Sequence, residues 1–118
     1  MSRSVLVVDD DSSFRELATE LVRSWGHEVV GGAGSVAEAM TRVTELRPDT
    51  VLLDVGLPDG DGFQLTECLC QMPWRPRVLL ISSDADAATD AEARRAGAIG
   101  FACKSEMPGT QFQRMLDG

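Results

Sequence analysis

An α/β fold, an open parallel sheet with helices on both faces, follows from how apolar residues alternate between two spacings along the chain. Short apolar runs rich in β-branched residues recur five times, each followed by a stretch of helical periodicity. The first, third and fourth runs are apolar along their whole length, which is how strands covered on both faces read. Right-handed crossovers between such strands lay the helices on either side of one sheet.

The first strand is expected at Val5-Leu6-Val7-Val8. In the helix after it, Phe14, Leu17, Ala18, Leu21, Val22 and Trp25 form an amphipathic stripe. Ser13 and Glu16 have capping-box spacing at its start, Asp11 or Ser12 offers a simpler cap, and Gly26 marks its end. A second strand at Glu28-Val29-Val30 leads through Gly31-Gly32-Ala33-Gly34 to a helix striped by Val36, Ala39, Met40, Val43 and Leu46. Ser35 with Glu38 makes a second capping box there, and Arg47-Pro48 a stop. Thr50-Val51-Leu52-Leu53 is the third strand, and Leu65, Cys68, Leu69 and Met72 mark the third helix. Val78-Leu79-Leu80-Ile81 precedes an alanine-rich helix from Ala85 to Ala96, closed by Gly97, which rests on propensity more than on a stripe. Ala98-Ile99-Gly100-Phe101-Ala102 is the fifth strand, and Pro108 opens a short fifth helix carrying Phe112, Met115 and Leu116. No linker or low-complexity segment interrupts this alternation, so residues 1–118 are expected to form one domain.

Composition narrows the function. Apolar residues make up 43% and charged residues 25%, the balance of an ordinary globule. A net charge of −8 repels phosphate backbones and anionic lipid, so neither nucleic acid nor membrane is an expected partner of this domain. No run reaches the ~18 apolar residues of a membrane span, and a cytoplasmic location is expected. Cys68, Cys70 and Cys103 are odd in number and lack CxxC spacing, which argues against a disulfide frame or a zinc site. Gly31-Gly32-Ala33-Gly34 follows the second strand and lacks the GxGxxG spacing of a dinucleotide site. His27 reads as a surface connector and Trp74 as loop packing.

The chemistry lies in what ends each strand. The first run stops at Asp9-Asp10-Asp11, the third at Asp54, the fourth at Ser82-Ser83 and the fifth before Lys104. Open parallel sheets bind ligands outside the carboxyl ends of their strands, so these residues share one rim. Two carboxylates 4 Å apart repel by about 4 kcal/mol at an effective dielectric of ~20, and Asp9, Asp10 and Asp54 make three such pairs. A cation relieves that repulsion, and a small all-oxygen set suits Mg²⁺. A free carboxylate oxygen can then attack phosphorus to give an aspartyl-phosphate, with Lys104 balancing charge and Ser82 donating a hydrogen bond.

Four separated motifs make the pattern specific: Val8-Asp9-Asp10, Asp54-Val55-Gly56-Leu57-Pro58-Asp59-Gly60-Asp61-Gly62, Ile81-Ser82-Ser83, and Gly97 through Lys104. In this order they resemble the receiver domain of two-component response regulators, over essentially the whole chain. The resemblance implies a flavodoxin-like sheet of order 2-1-3-4-5 and a phosphoryl group accepted by Asp54 from a histidine kinase. It further implies Mg²⁺ held by Asp9, Asp10, Asp54 and the Gly56 carbonyl, a phosphate-contacting Lys104, and a switch made of Ser82 and Phe101. Gly56 and Asp84 fall where the family tunes the lifetime of the phosphoryl group. The output surface is implied on the fourth helix, fifth strand and fifth helix, facing a downstream protein or effector domain, with homodimerisation on phosphorylation as one form of output. Catalysis is then limited to the domain's own phosphorylation and dephosphorylation.

One departure stands out. Ser105 follows Lys104 where the family usually has proline, often after a cis bond; a cis bond before serine costs about 2.5–4 kcal/mol, so trans is expected. A second class stays open at this point: a small phosphohydrolase of haloacid-dehalogenase type, with Asp9 of Asp9-Asp10-Asp11 as nucleophile. That class needs residues for a cap over its substrate, and none are spare here.

Overall fold

A computed structural model describes residues 2–118. Its sheet contains β1 (Ser4–Val8), β2 (Glu28–Ala33), β3 (Thr50–Asp54), β4 (Arg77–Ser82) and β5 (Gly100–Cys103). The strands are ordered β2-β1-β3-β4-β5, and every neighbouring pair is parallel. Five α-helices connect or follow them: α1 (Ser12–Ser24), α2 (Val36–Leu46), α3 (Gly62–Leu69), α4 (Asp90–Ala96) and α5 (Thr110–Asp117). This is the flavodoxin-like order.

The period-2 geometry of the strands divides the core into two layers. Leu6, Val8, Val51, Leu53, Val78 and Leu80 face Ala39 and Val43 of α2, Leu65 and Leu69 of α3, and Ala93 of α4. Their neighbours Val5, Val7, Leu52, Leu79 and Ile81 face Ala18 and Val22 of α1 and Phe112 and Leu116 of α5. Burying each such aliphatic side chain contributes about 1.5–3 kcal/mol. All five residues of β3 are buried, so the most enclosed strand is the one that ends in Asp54.

Several boundaries differ from the sequence expectation, each for a local reason. The cap of α1 is Asp11, whose carboxylate accepts from the Ser13 and Phe14 amides, so the Ser13–Glu16 box does not form. Ser35 caps α2 as expected, but the Glu38 carboxylate reaches the Gly34 amide at 2.7 Å and so closes a wider box. The glycines after Val30 belong to β2, which runs to Ala33 with a register shift opposite Val5 and Leu6. A two-stranded ribbon, Gly56–Leu57 against Gly60–Asp61, fills the β3–α3 connection; its strands are too short to show a period.

The fourth helix starts at Asp90, five residues later than expected from Ala85. Thr89 and Glu92 form a reciprocal capping box there, while Asp84 accepts from the Asp86 amide and its carbonyl from the Ala87 amide to make a turn. These side-chain and turn bonds outcompete the alanine propensity of residues 85–88. At its far end the Ala98 amide bonds the Ala93 carbonyl, so Ala98 belongs to the helix cap and β5 begins only at Gly100. Pro108 lies ahead of the Gly109 cap of α5 instead of inside its first turn, behind a 3₁₀ turn at Lys104–Glu106.

His27 is the clearest correction: it is 5% exposed, not a surface connector. Its Nδ1 accepts from the Arg3 amide at 2.9 Å, which puts the ring proton on Nε2, 2.6 Å from Asp117 Oδ1. The ring thereby fastens the end of α5 to the start of the sheet. Trp74 does pack in its loop, donating to the Pro48 carbonyl at 2.9 Å beneath the Arg47 guanidinium. The three cysteines are free thiols, and no cis peptide occurs among the described residues, so Ser105 follows a trans bond.

Candidate functional site at the carboxyl rim of the sheet

Strand polarity alone brings the rim residues together. β1 delivers Asp9 and Asp10, β3 ends in Asp54, β4 ends in Ser82, and Lys104 follows β5. Asp9, Asp10 and Asp54 each place a carboxylate oxygen within 4.8 Å of the other two. Asp9 is 0% exposed and Asp54 8%, whereas Asp10 is open to solvent. The Lys104 ammonium lies 2.5 Å from Asp9 Oδ2 and 3.5 Å from Asp54 Oδ2. It also rests 4.5 Å over the Phe14 ring, so a residue of the apolar stripe of α1 forms one wall around the cation.

Burial and charge together set the titration of the pocket. Burial raises the Asp54 pKa and the Asp9 charge adds to the rise, while Lys104 and the Gly56 amide pull it back without cancelling it. Burial disfavours the Lys104 ammonium, but the hydrogen bond to Asp9 and the charges of Asp54 and Asp9 outweigh it, and its pKa is raised. Lys104 therefore favours the ionised form of Asp54, and the neighbouring carboxylates favour the charged ammonium.

Asp9 Oδ1 accepts the Asp11 amide at 2.9 Å, and buried Oδ2 has the Lys104 ammonium as its single partner. A carboxylate oxygen with one cationic partner keeps a lone pair free for a metal. Together with two further hard-oxygen donors within reach, it fits a small divalent cation such as Mg²⁺.

Other expected residues fall into supporting places. Ser82 is nearly buried, and its Oγ accepts from the Asp84 amide at 3.0 Å, which leaves the hydroxyl hydrogen free to donate. Asp84 is exposed and its carboxylate is turned back onto the Asp86 amide. Phe101 is half-buried against the core layer containing Leu80 and Ala93. The Gly56 amide points at Asp54 Oδ1 at 3.4 Å, and a side chain at Gly56 would meet open space.

Two residues were not singled out from the sequence. A Cβ at Gly62 would lie 2.7 Å from the Asp54 carbonyl oxygen and 2.8 Å from Val55 Cα, so glycine lets α3 start directly against the end of β3. The Arg15 guanidinium donates to the Asp9 carbonyl and steadies the backbone of the acidic pair. Gly62 stood inside a quoted motif without a role; Arg15 offered no signal beyond a polar position on α1.

Residues 5–115 match the family model described as response regulator receiver domain. The chain belongs to that family. It is the receiver domain of a two-component response regulator, and the phosphohydrolase alternative is set aside; fully buried Asp9, held by Lys104 and the Asp11 amide, is also poorly placed as a nucleophile. The receiver is 41% identical over 95% of its length to DNA-binding transcriptional activator DevR/DosR of Mycobacterium tuberculosis. It is 30% identical over 92% of its length to chemotaxis protein CheY of Thermotoga maritima, 90% of which it covers. It spans about half of DevR/DosR (52%) and 32% of a protein-glutamate methylesterase/protein-glutamine glutaminase of Xanthomonas oryzae. Among solved structures, the receiver domain of NarL from Mycobacterium tuberculosis superposes with a TM-score of 0.82 at 30% identity, covering 99% of this chain and 98% of that one. The response regulator domain of Thermotoga maritima CheB gives 0.83 at 25% identity, with 99% and 96% covered. No helix among the described residues is long and apolar enough to cross a membrane.

Proposed function

We propose that Asp54 is the phosphoacceptor of this receiver, and that residues 1–118 act as one unit that takes a phosphoryl group from a sensor histidine kinase or phosphotransfer protein. The observation that carries this reading is the position of Asp54: it ends the buried central strand, with an oxygen 3.5 Å from the Lys104 ammonium and a carboxylate within 4.8 Å of those of Asp9 and Asp10. Asp9, Asp10, Asp54 and the Gly56 carbonyl would hold Mg²⁺, which when bound would offset charge on the phosphoryl oxygens.

An Asp54 carboxylate oxygen forms the new O–P bond while the P–N bond to the donor imidazole breaks, and that imidazole keeps its electron pair and takes up a proton. Asp54 must be ionised to attack, and Lys104 with the Gly56 amide works against the burial that favours its neutral form. Lys104 then has the phosphoryl oxygens as a new partner, and the unused Ser82 hydroxyl hydrogen turns toward them. Movement of Ser82 opens room for the half-buried Phe101 ring, which shifts the face formed by α4, β5 and α5. Gly56, which leaves the site uncovered, and exposed Asp84 set how readily water reaches the phosphoryl group. The net charge of −8 points the output of the domain to protein, either a downstream partner, an effector domain or a second copy, in the cytoplasm.

Incubation with acetyl phosphate, with Mg²⁺ or with chelator, tests the assignment in wild type, Asp54→Asn and Asp9→Asn. Mg²⁺-dependent, acid-stable and base-labile label should appear in wild type, vanish in Asp54→Asn, and map to Asp54 after borohydride trapping. Label on Asp9 or on a serine, or label independent of metal, overturns it.

A further inference from the structure

β5 is an edge strand, and the backbone amides of an edge strand point alternately toward its neighbour and toward open space. The Phe101 amide is not left to solvent: it donates to Asp90 Oδ1 at 3.2 Å, in the first turn of α4. Asp90 Oδ2 accepts from Arg94 Nε at 2.6 Å, one turn further along the same helix. The carboxylate reaches the strand because position 100 carries no side chain, since a Cβ at Gly100 would lie 2.7 Å from Asp90 Oδ1. Arg94 and, second, the Phe101 amide hold the Asp90 carboxyl below the usual range, so the acceptor is charged and the bond charge-assisted.

A second outward amide of the strand, that of Cys103, is likewise taken by a carboxylate, Glu106 Oε1 at 2.9 Å. Glu106 lies in the turn that continues the strand, so that bond ties β5 to itself. Asp90 ties it to a different element. With seven residues, α4 is too short to hold its own position, and its contacts decide where it sits.

We propose that Asp90 is a positioning residue of the switch: it joins the first turn of α4 to the backbone of Phe101, so that a shift of Phe101 carries α4 with it. This deepens the reading of Phe101 as the switch aromatic and rests on it. Mere protection of a strand edge, or a favourable charge at a helix start, also accounts for an acid here. Neither of those roles couples the two elements.

Amide NMR with Mg²⁺ and beryllofluoride separates the possibilities. In wild type, signals from residues 82–84, Phe101 and residues 92–96 should all shift. In Asp90→Ala the α4 shifts should fall by about half or more, while those of residues 82–84 and Phe101 persist. Asp90→Asn, which keeps an oxygen acceptor for the Phe101 amide, should restore the α4 response, and Arg94→Ala should behave as wild type. Gly100→Ala places a Cβ against Asp90 Oδ1 and the flexible end of Met115, displaces the carboxylate without changing the sequence of α4, and should reproduce Asp90→Ala; with Met115→Ala as its control it carries the test if Asp90→Ala does not fold. An intact α4 response in these variants, or an equal loss in Arg94→Ala, overturns the proposal. A wild type whose pocket responds while Phe101 stays silent instead overturns the switch reading beneath it.

Discussion

Replacing Lys104 with methionine deletes the ammonium that faces Asp9 and Asp54 and keeps most of the side chain's length. Two carboxylates then confront each other with oxygens within 4.8 Å, one of them on a fully buried residue. At that distance and an effective dielectric of ~20, their repulsion is about 3.5 kcal/mol. The molecule can escape it by protonating one carboxyl, which for an ordinary pKa near 3.9 costs about 4.2 kcal/mol at pH 7 and about 1.5 kcal/mol at pH 5. Truncating one member of a buried ion pair typically costs about 3–5 kcal/mol, so Lys104→Met should lose about 3 kcal/mol at pH 7 without metal. The sign of the pH dependence follows from the raised Asp54 pKa, which the substitution raises further. The folded state binds this proton more tightly than the unfolded chain, so the contribution of Asp54 to stability grows as pH falls toward 3.8 in both proteins, the variant's more steeply. Urea unfolding in chelator should therefore show a gap that shrinks to about 1.5 kcal/mol near pH 5, and saturating Mg²⁺ at pH 7 should close part of it. A gap that stays constant from pH 7 to 5, or is under about 1 kcal/mol at pH 7, refutes the view that Lys104 balances these carboxylates.

Asp54→Asn should raise the urea midpoint of the metal-free protein at pH 7, and the gain should disappear as pH falls through the raised Asp54 pKa, because the wild-type carboxyl is then neutral too. Gly62→Ala forces a Cβ against the Asp54 carbonyl and Val55 Cα; labelling by acetyl phosphate should slow by about tenfold or more as Asp54, the proposed acceptor, is displaced, and unchanged labelling would count against the close approach. His27→Phe removes the acceptor of the Arg3 amide and the donor to Asp117, and should cost about 1–3 kcal/mol in urea unfolding while leaving the labelling rate near wild type.

The sheet and the rim were legible because they depend on coarse signals. Apolar runs that alternate with helical stripes fix strand count and polarity, and polarity alone puts Asp9, Asp54, Ser82 and Lys104 on one edge. Boundaries were harder wherever side chains compete with propensity. The alanines at 85, 87 and 88 favour helix, yet Thr89 with Glu92 and the Asp84 turn decide where α4 begins. Glycines at 31 and 32 looked like loop and lie in the edge strand β2, where backbone pairing with Leu6 and Val7 of β1 carries them without a side chain. His27 was misread since its partners, Arg3 and Asp117, are 24 and 90 residues away, a separation no local pattern encodes. The contact between Asp90 and Phe101 spans 11 residues from a helix start to the following strand, and depends on how the two pack rather than on any local pattern.

The complete burial of β3 has a consequence for how this molecule can be watched. Amides of Val51, Leu52 and Leu53 sit between two other strands with a helix layer on either face, so they exchange with deuterium only when the whole fold opens. Their exchange rates should therefore report global stability, rising or falling with each variant above, and stay blind to signalling. A probe placed on this strand, however near Asp54 in sequence, measures how often the protein unfolds. One placed beyond Ser82 or along α4 measures how often it switches.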